Sequence, residues 1–188
     1  MGRLIARNWI SVDGFIAGNG GDLTWIRGDE EMGAYELDLI GGADAVLFGG
    51  KTYREFSSFW PNVPQMPQAS AFEQAFAEKI NGTRKIAVSR TLEASDWAGT
   101  EIVSAVTADS IGGIKASAER TVMYGSADVL GQIISLGLLD ELHLLVHPLL
   151  LGGGLNVFDS LGKTVELTRV RAAAFGSGVV LVQYAVSI

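Results

Sequence analysis

Three short stretches place glycine, hydroxyl and cationic residues directly after an apolar run. They are Gly49-Gly50-Lys51-Thr52, Ser89-Arg90 and Gly125-Ser126. Lysine, arginine, hydroxyl groups and free backbone amides are common donors to phosphate, and glycine lets a ligand approach the backbone closely. The three stretches predict binding of a phosphorylated ligand, provided that the fold brings them together.

The third stretch has the best chemistry for an anion. Ser126, Ala127 and Asp128 open a predicted helix, and their backbone amides together with the helix dipole suit a pyrophosphate. An alternative is that Ser126 only caps this helix, which is a common use of serine. The polar residues of the other two stretches could likewise be solvated strand ends. Their recurrence after three separate strands favours the binding site.

Two other nucleotide-binding motifs do not fit. Residues 45–52 satisfy the loose nucleotide-loop pattern that ends in Gly-Lys-Thr. In a true phosphate loop the middle residues wrap the phosphates, whereas residues 46–49 here are mostly the apolar strand itself. No later apolar run ends in an acid placed to hold magnesium, as an NTPase requires. The sequence also has no G-x-G-x-x-G motif of an ordinary Rossmann domain.

Strand-like and helix-like segments alternate along the chain. The predicted strands are 3–11, 44–49, 85–89, 101–104, 121–125 and 141–147, and the predicted helices are 29–41, 69–80, 108–119 and 126–137. This alternation indicates crossovers and a mostly parallel sheet with helices on both faces. Residues 165–175 and 179–188, joined by Gly-Ser-Gly, read as a long antiparallel hairpin. We therefore expect one α/β domain over 1–188, with a single mixed sheet of about eight strands.

Composition excludes several classes of protein. The 188 residues are 48% hydrophobic, with a net charge of −7 and no cysteine. The negative charge argues against a nucleic-acid partner, and the absence of cysteine excludes disulfides and thiolate chemistry. No apolar run reaches the length of a membrane helix, and the first residues do not resemble a signal peptide. A cytoplasmic protein that binds a small molecule is the expectation.

Taken in order, the motifs carry a family resemblance over nearly the whole chain. The series Gly-Gly-Lys-Thr-Tyr, Ser-Arg and Tyr-Gly-Ser-Ala, each after a strand, resembles the NADP-binding framework of the dihydrofolate reductase-like fold. "SVDGFIAG" (11–18) and "HPLLLGGG" (147–154) resemble the C-terminal reductase domain of the riboflavin-pathway deaminase/reductase. The resemblance implies an eight-stranded mixed sheet, NADPH as hydride donor, a pyrimidine or pteridine substrate and often a homodimer.

The resemblance also implies cofactor-binding residues. Those implied at the nicotinamide are Trp9, Ile10, Ile16 and Ala17. Those implied at the diphosphate and the 2′-phosphate are Gly49, Gly50, Lys51, Thr52, Ser89, Arg90, Gly125, Ser126, Ala127 and Asp128.

Four aromatic side chains are the candidates for binding the substrate. Trp25, Tyr53, Phe56 and Trp60 could stack on a flat heterocycle, or could equally belong to the core or a dimer contact. The glycine-rich loop 18–28 could act as a lid.

No carboxylate is uniquely convincing as a proton donor, and the candidates are Asp13 and Glu31. Asp13 also fits an ordinary turn before Gly14, and Glu31 fits an acid of a first helical turn. The resemblance implies a substrate-binding acid near the start of the first helix in folate-reducing members, and the family's spacing places that position close to Gly33, which argues against folate reduction.

The two histidines are the remaining candidates for a metal site. His143 and His147 share one strand face with Glu141, but no further ligand supports a metal site.

We expect an NADPH-dependent reductase of a small pyrimidine- or pteridine-like substrate, with 5-amino-6-(5-phosphoribosylamino)uracil reduction as the nearest named activity. The alternative is a non-catalytic NADP(H)-binding homodimer that acts as a sensor or accessory protein.

Overall fold

The structure is a computed structural model that describes residues 1–187. Its strands are β1 (Arg3–Ser11), β2 (Phe15–Ala17), β3 (Ala45–Gly49), β4 (Arg84–Val88), β5 (Thr100–Val103), β6 (Arg120–Tyr124), β7 (Glu141–His147), β8 (Leu155–Asn156), β9 (Glu166–Ala174) and β10 (Val180–Ser187). Its α-helices are α1 (Glu30–Gly41), α2 (Gly50–Phe59), α3 (Ala71–Gly82), α4 (Ala108–Ser117) and α5 (Ala127–Ser135). Short 3₁₀ turns lie at Asn19–Gly21 and Val63–Gln65.

Eight of these strands form one mixed sheet in the order β5-β4-β3-β6-β1-β7-β10-β9. The strands from β5 to β7 run parallel, whereas β10 pairs antiparallel with both β7 and β9. The predicted fold class, including the C-terminal hairpin, is confirmed. Because the six parallel strands point the same way, their carboxyl ends meet at one edge of the sheet, where ligands bind in open α/β sheets.

Two apolar clusters cover the two faces of this sheet. On one face α4 and α5 contribute Ile111, Ile114 and Leu130, among others. On the other face α1, α2 and α3 contribute Leu39, Tyr53 and Phe76. All five residues of β3 are buried, as expected for a parallel strand covered on both sides. The carboxyl ends of the central strands are thus held on a rigid scaffold.

The helices differ in how their first turns are satisfied. Asp29, Ser70 and Thr107 accept hydrogen bonds from the first turns of α1, α3 and α4 respectively. In contrast, α2 begins after Gly49 and α5 after Ser126 with no side-chain cap. The first backbone amides of a helix have no partner within the helix, so α2 and α5 each begin with free donors.

Two features of the fold were not predicted from the sequence. Helix α2 occupies residues 50–59, which were interpreted as a turn followed by aromatic residues that face the pocket or belong to the core or a dimer contact. Strands β2 and β8 pair antiparallel as a separate two-stranded sheet beside the main one. Within residues 1–187, no helix has the length and apolar character needed to cross a bilayer.

Candidate functional site

A groove of about 610 Å³ runs along the carboxyl ends of β1, β3, β4 and β6. It brings together thirteen of the fourteen residues predicted to bind a cofactor. These are Trp9, Ile16, Ala17, Gly49, Gly50, Lys51, Thr52, Ser89, Arg90, Gly125, Ser126, Ala127 and Asp128. Ile10 is the exception, since it is buried in the apolar cluster under α5 and does not line the groove. The stretches Gly49-Gly50-Lys51-Thr52, Ser89-Arg90 and Gly125-Ser126 therefore lie in one site.

Glycines allow these stretches to pack closely against each other. A Cβ atom on Gly49 would lie 3.1 Å from Ser126 Oγ, and one on Gly50 would lie 2.9 Å from Ser89 Oγ. At Gly125, which has a φ of +58°, a Cβ atom would lie 3.2 Å from Thr52 Oγ1. These contacts are closer than side chains normally make, so a larger residue would require the neighbouring side chains to shift, whereas glycine lets the three stretches pack closely.

Ser126 joins the first and third stretches instead of capping α5. Its Oγ accepts a hydrogen bond from Gly49 N at 2.7 Å and donates to Thr52 Oγ1 at 3.0 Å. Ser126 also has left-handed backbone angles, with a φ of 66°, which is uncommon for a residue other than glycine. The alternative of a simple serine cap is thereby excluded. The amides that open α5 stay free to bind a ligand.

Two cationic side chains lie beside the free helix amides. Lys51 and Arg90 both line the groove and are exposed, and neither takes part in an ion pair among the residues that the structure describes. The 3₁₀ turn Asn19–Gly21 lies close to Lys51, since a Cβ atom on Gly21 would lie 3.1 Å from Lys51 Nζ. The groove therefore combines helix amides, hydroxyl groups and unpaired positive charge, which is the donor set for phosphate.

The predicted substrate aromatics are divided between groove and core. Phe56 lines the groove. Tyr53 is buried, with its hydroxyl bonded to Ser95 Oγ and Thr100 Oγ1. Trp60 packs against Phe56 and Phe76, and Trp25 meets His147 edge-on at 5.1 Å between ring centroids. Of the four aromatic residues, the structure brings only Phe56 to the groove.

Asp13 and Glu31, the candidate proton donors, both bind backbone amides outside the groove. Asp13 accepts from Leu151 N at 3.1 Å and from Gly152 N at 2.8 Å. Hydrogen bonds from the Ser11 side chain and the Gly152 amide lower the pKa of Asp13 to about 2. Glu31 accepts from Gly176 N at 3.1 Å and so holds the hairpin turn. Both carboxylates organise loops, and neither lines the groove.

The two histidines serve different neighbours. His143 Nδ1 lies 2.8 Å from the Tyr35 hydroxyl, and its Nε2 lies 3.0 Å from Glu141 Oε2. His147 Nδ1 accepts from Arg27 N at 3.3 Å, under the loop that carries Trp25. In the described part of the chain, no group of three or more His, Asp and Glu side chains is placed to hold a metal ion.

His147 is expected to make stability depend on pH. Burial, and then the positive charges of Arg7 and Arg27, lower the pKa of His147 from 6.5 to about 4. The unfolded chain therefore binds a proton between these pH values that the folded chain does not. Stability should fall as the pH is lowered from 6.5 to 4, with this group contributing up to about 1.4 kcal/mol per pH unit.

His147→Asn should remove this contribution, because asparagine can still accept the Arg27 amide but does not titrate in that range. Urea denaturation of both proteins at several values between pH 4.5 and pH 7 measures the difference in slope. Equal slopes in the two proteins would contradict this assignment.

Sequence reasoning missed a set of buried polar residues at the inner end of the groove. Arg7, Asn8, Glu36 and Tyr124 are each at most 5% exposed. Arg7, Asn8 and Tyr124 line the groove, and Glu36 forms an ion pair with Arg7. The signal was present, since Arg7 and Asn8 interrupt the apolar run of a strand that is buried on both faces. Polar residues at such positions need partners or a function.

Comparisons with known proteins agree with this geometry. The family model of the RibD C-terminal domain matches residues 114–181. The uncharacterized protein YyaP of Bacillus subtilis (strain 168) is 28% identical over 183 residues, which cover 97% of this chain and 94% of that protein.

Solved structures show the same architecture. The crystal structure of a protein from Shewanella sp. PV-4, described as one of riboflavin biosynthesis, superposes with a TM-score of 0.77 at 17% identity and covers 99% of both chains. Dihydrofolate reductase from Enterococcus faecalis, in a complex with NADP(H), superposes with a TM-score of 0.65 at 12% identity, covering 99% of this chain and 97% of that one. The predicted resemblance is thereby confirmed: the chain has the dihydrofolate reductase-like fold, and its residues 114–181 match the RibD C-terminal domain.

Proposed function

We propose that this chain is an NADPH-dependent reductase that transfers a hydride to a small pyrimidine- or pteridine-like heterocycle. The observation that carries the proposal is the pair of uncapped helices at the groove. α2 and α5 begin there without a side-chain cap, whereas α1, α3 and α4 are capped by their own side chains. Free amides at two helix N-termini that face one groove suit the two phosphates of a dinucleotide.

The residues present fit NADPH in three further respects. Gly49, Gly50 and Gly125 leave the backbone open to close approach by a diphosphate. Lys51 and Arg90 supply the positive charge that a 2′-phosphate requires. The buried Asn8 side chain lines the groove with both its Oδ1 and its Nδ2 unpartnered. A carboxamide in that state is a suitable partner for another amide, such as that of nicotinamide.

The residues of this chain would contribute to hydride transfer by positioning the cofactor and the substrate and by excluding water from them. A bound NADPH supplies the hydride. Trp9, Ile16 and Ala17 contribute apolar surface to the groove. Gly21 and Leu23 of the loop 18–28 also line the groove, and this loop would limit the access of water to the reacting atoms. The match of residues 114–181 to the RibD C-terminal domain supports a reductase, and the homodimer implied by the resemblance stays a prediction.

Isothermal titration calorimetry with NADPH and NADH tests the cofactor assignment. NADPH should bind in the micromolar range or tighter, and more tightly than NADH. Arg90→Ala and Lys51→Ala should each weaken NADPH about 10- to 100-fold and leave NADH nearly unchanged, because a charge-assisted hydrogen bond contributes about 1.5–3 kcal/mol.

Arg169→Ala is the matched control, since it removes the same charge from an exposed position on β9 at the other side of the sheet. Equal affinity for the two cofactors would overturn the 2′-phosphate assignment. Loss of NADPH absorbance with 5-amino-6-(5-phosphoribosylamino)uracil or dihydrofolate then separates a reductase from a binding protein without turnover.

A further inference from the structure

Arg7 brings a full positive charge to the inner end of the groove. Its side chain is buried but lines the groove, and its guanidinium donates to Glu36 Oε1. Among residues 1–187, Arg7 forms an ion pair with no carboxylate other than that of Glu36. Arginine does not lose its proton in proteins. Neutralisation of this charge therefore depends on Glu36.

Glu36 is itself held in a fixed position. It is buried in the middle of α1, and its Oε1 also accepts from Trp9 Nε1 at 3.2 Å. The start of α1 is tied to the turn between β9 and β10, because the Asp29 side chain accepts a hydrogen bond from Ser177 N. With its backbone and both of its donors fixed, the carboxylate stays beside Arg7.

The charge of Arg7 lies beside a residue predicted at the nicotinamide. Residues 7 and 9 of β1 lie on the same face of the strand, and the Arg7 guanidinium carbon is 3.9 Å from the centroid of the Trp9 ring. Trp9 lines the groove as well. The cations predicted at the phosphates, Lys51 and Arg90, follow other strands, β3 and β4. Arg7 is therefore the cation next to the predicted nicotinamide position.

The nicotinamide ring is the part of the cofactor whose charge changes in hydride transfer. The ring is neutral in NADPH and carries one positive charge in NADP⁺. A lone guanidinium in the wall of the groove, where the dielectric constant is lower than in water, would repel NADP⁺ and leave NADPH nearly unaffected. A guanidinium paired with a carboxylate exerts little net force on either form. Discrimination between the two forms thus depends on whether Arg7 is neutralised.

We propose that Glu36 sets the preference of this groove between oxidised and reduced cofactor by neutralising Arg7. The inference rests on the proposed function, because it concerns the same cofactor in the same groove. Glu36 does not line the groove and acts only through Arg7. Without the Glu36 charge, NADP⁺ would bind more weakly relative to NADPH than it does in the wild-type protein.

Glu36→Gln tests this proposal, because glutamine keeps the length of the side chain and an oxygen that can accept from Arg7 and Trp9. Isothermal titration calorimetry gives the ratio of the Kd of NADP⁺ to the Kd of NADPH for each protein. The ratio should rise about 5- to 50-fold in the variant, through weaker binding of NADP⁺. The other charges of the groove are the same in both proteins and cancel in this comparison. A distorted site would weaken both forms alike, and an unchanged ratio would contradict the proposal.

The double variant Arg7→Met/Glu36→Gln removes both charges and should return the ratio to within about twofold of the wild-type value. Glu141→Gln is the matched control. Glu141 also pairs with an arginine, Arg3, but these two residues begin β7 and β1, at the amino ends of the strands and away from the groove. A ratio that stays raised in the double variant, or an equal rise in Glu141→Gln, would overturn the assignment to Arg7 and Glu36.

Arg7→Met is the reciprocal variant, because it leaves the carboxylate as the net charge. A carboxylate attracts the cationic ring, so the ratio should fall at least about threefold below the wild-type value. A ratio that is unchanged or raised would argue against the proposal. Trimethylamine N-oxide is added to every titration, since it favours the folded state of the two destabilised single variants.

The proposed function fails in a different way from this inference. A wild-type protein that binds neither NADPH nor NADP⁺ would refute both. A wild-type protein that binds NADPH, with the same ratio in all the variants, would refute the role of Glu36 alone and leave the proposed reductase intact.

Discussion

Replacing Arg7 by methionine is expected to lower the free energy of unfolding by about 3–5 kcal/mol. The change leaves the Glu36 carboxylate buried, 2% exposed, with Trp9 Nε1 as its remaining hydrogen-bond donor. A buried charge that loses its partner keeps the full cost of desolvation, whereas the methionine replaces most of the apolar volume of the arginine. Urea denaturation followed by circular dichroism measures the loss.

The double variant Arg7→Met/Glu36→Gln separates the lost charge pair from lost packing. With both charges removed, most of the stability should return, because a glutamine can still accept the Trp9 indole N–H. Glu36→Gln alone should be costly too, since it leaves Arg7 buried and unpaired. If the free energy of unfolding of the double variant were no higher than that of the less stable single variant, this account would be contradicted.

Arg3→Met is the matched control on the same strand. Arg3 also pairs with a glutamate, Glu141, but its side chain is 68% exposed. An exposed pair contributes between about 0 and 1 kcal/mol, so Arg3→Met should change stability far less than Arg7→Met. Equal losses in the two variants would mean that burial does not determine the strength of these pairs.

The parts of the fold that sequence predicted are those with the plainest apolar pattern. β3, with the sequence AVLFG, is buried at every position, and a short apolar run bounded by glycine and polar residues is typical of a parallel strand. The position of the binding site could be predicted from the same pattern, because parallel strands bring their carboxyl ends to one edge of the sheet. Gly49, Ser89 and Ser126 could therefore be placed together before any distance between them was known.

Helix α2 was missed because its residues were interpreted by chemistry alone. Lys51 and Thr52 were assigned to a phosphate site, and Tyr53, Phe56 and Trp60 were left open between a substrate pocket, the core and a dimer contact. The spacing of these three aromatic residues, i, i+3 and i+7, is itself that of one face of a helix. That face packs on the core, where Tyr53 meets Phe48 and Trp60 meets Phe76. A prediction of the helix would have moved Tyr53 and Trp60 from the site to the core.

The buried polar cluster depends on contacts that a single sequence does not reveal. Arg7 and Glu36 are 29 residues apart, and each taken alone reads as an ordinary charged residue of a strand or helix. Their pairing follows from the crossing of α1 over β1, which is a property of the three-dimensional packing. The local signal was weaker but real: a strand buried on both faces has no room for an arginine without a partner.

The strongest expected effect on binding comes from Gly125→Ala, which should weaken NADPH at least about 100-fold. The Cβ atom would lie 3.2 Å from Thr52 Oγ1, so Thr52 in the first turn of α2 would have to shift by a few tenths of an ångström, and the new methyl group would lie at the proposed phosphate site. A diphosphate that loses two charge-assisted hydrogen bonds, each contributing about 1.5–3 kcal/mol, loses affinity by that factor or more. Calorimetric titration with NADPH measures the effect.

The backbone of Gly125 also has to be considered, because its φ of +58° is strained for alanine whatever the space around it. Gly99→Ala is the matched control: Gly99 has a φ of +74°, a Cβ atom there would meet nothing within 4 Å, and the residue lies before β5 at the opposite edge of the sheet. Both variants should lose about 1 kcal/mol of stability from the left-handed conformation. Only Gly125→Ala should lose NADPH, since only there does the new methyl group lie inside the proposed phosphate site. Unchanged NADPH affinity in Gly125→Ala would mean that the cofactor, if it binds, does not use the meeting point of β6 and α2.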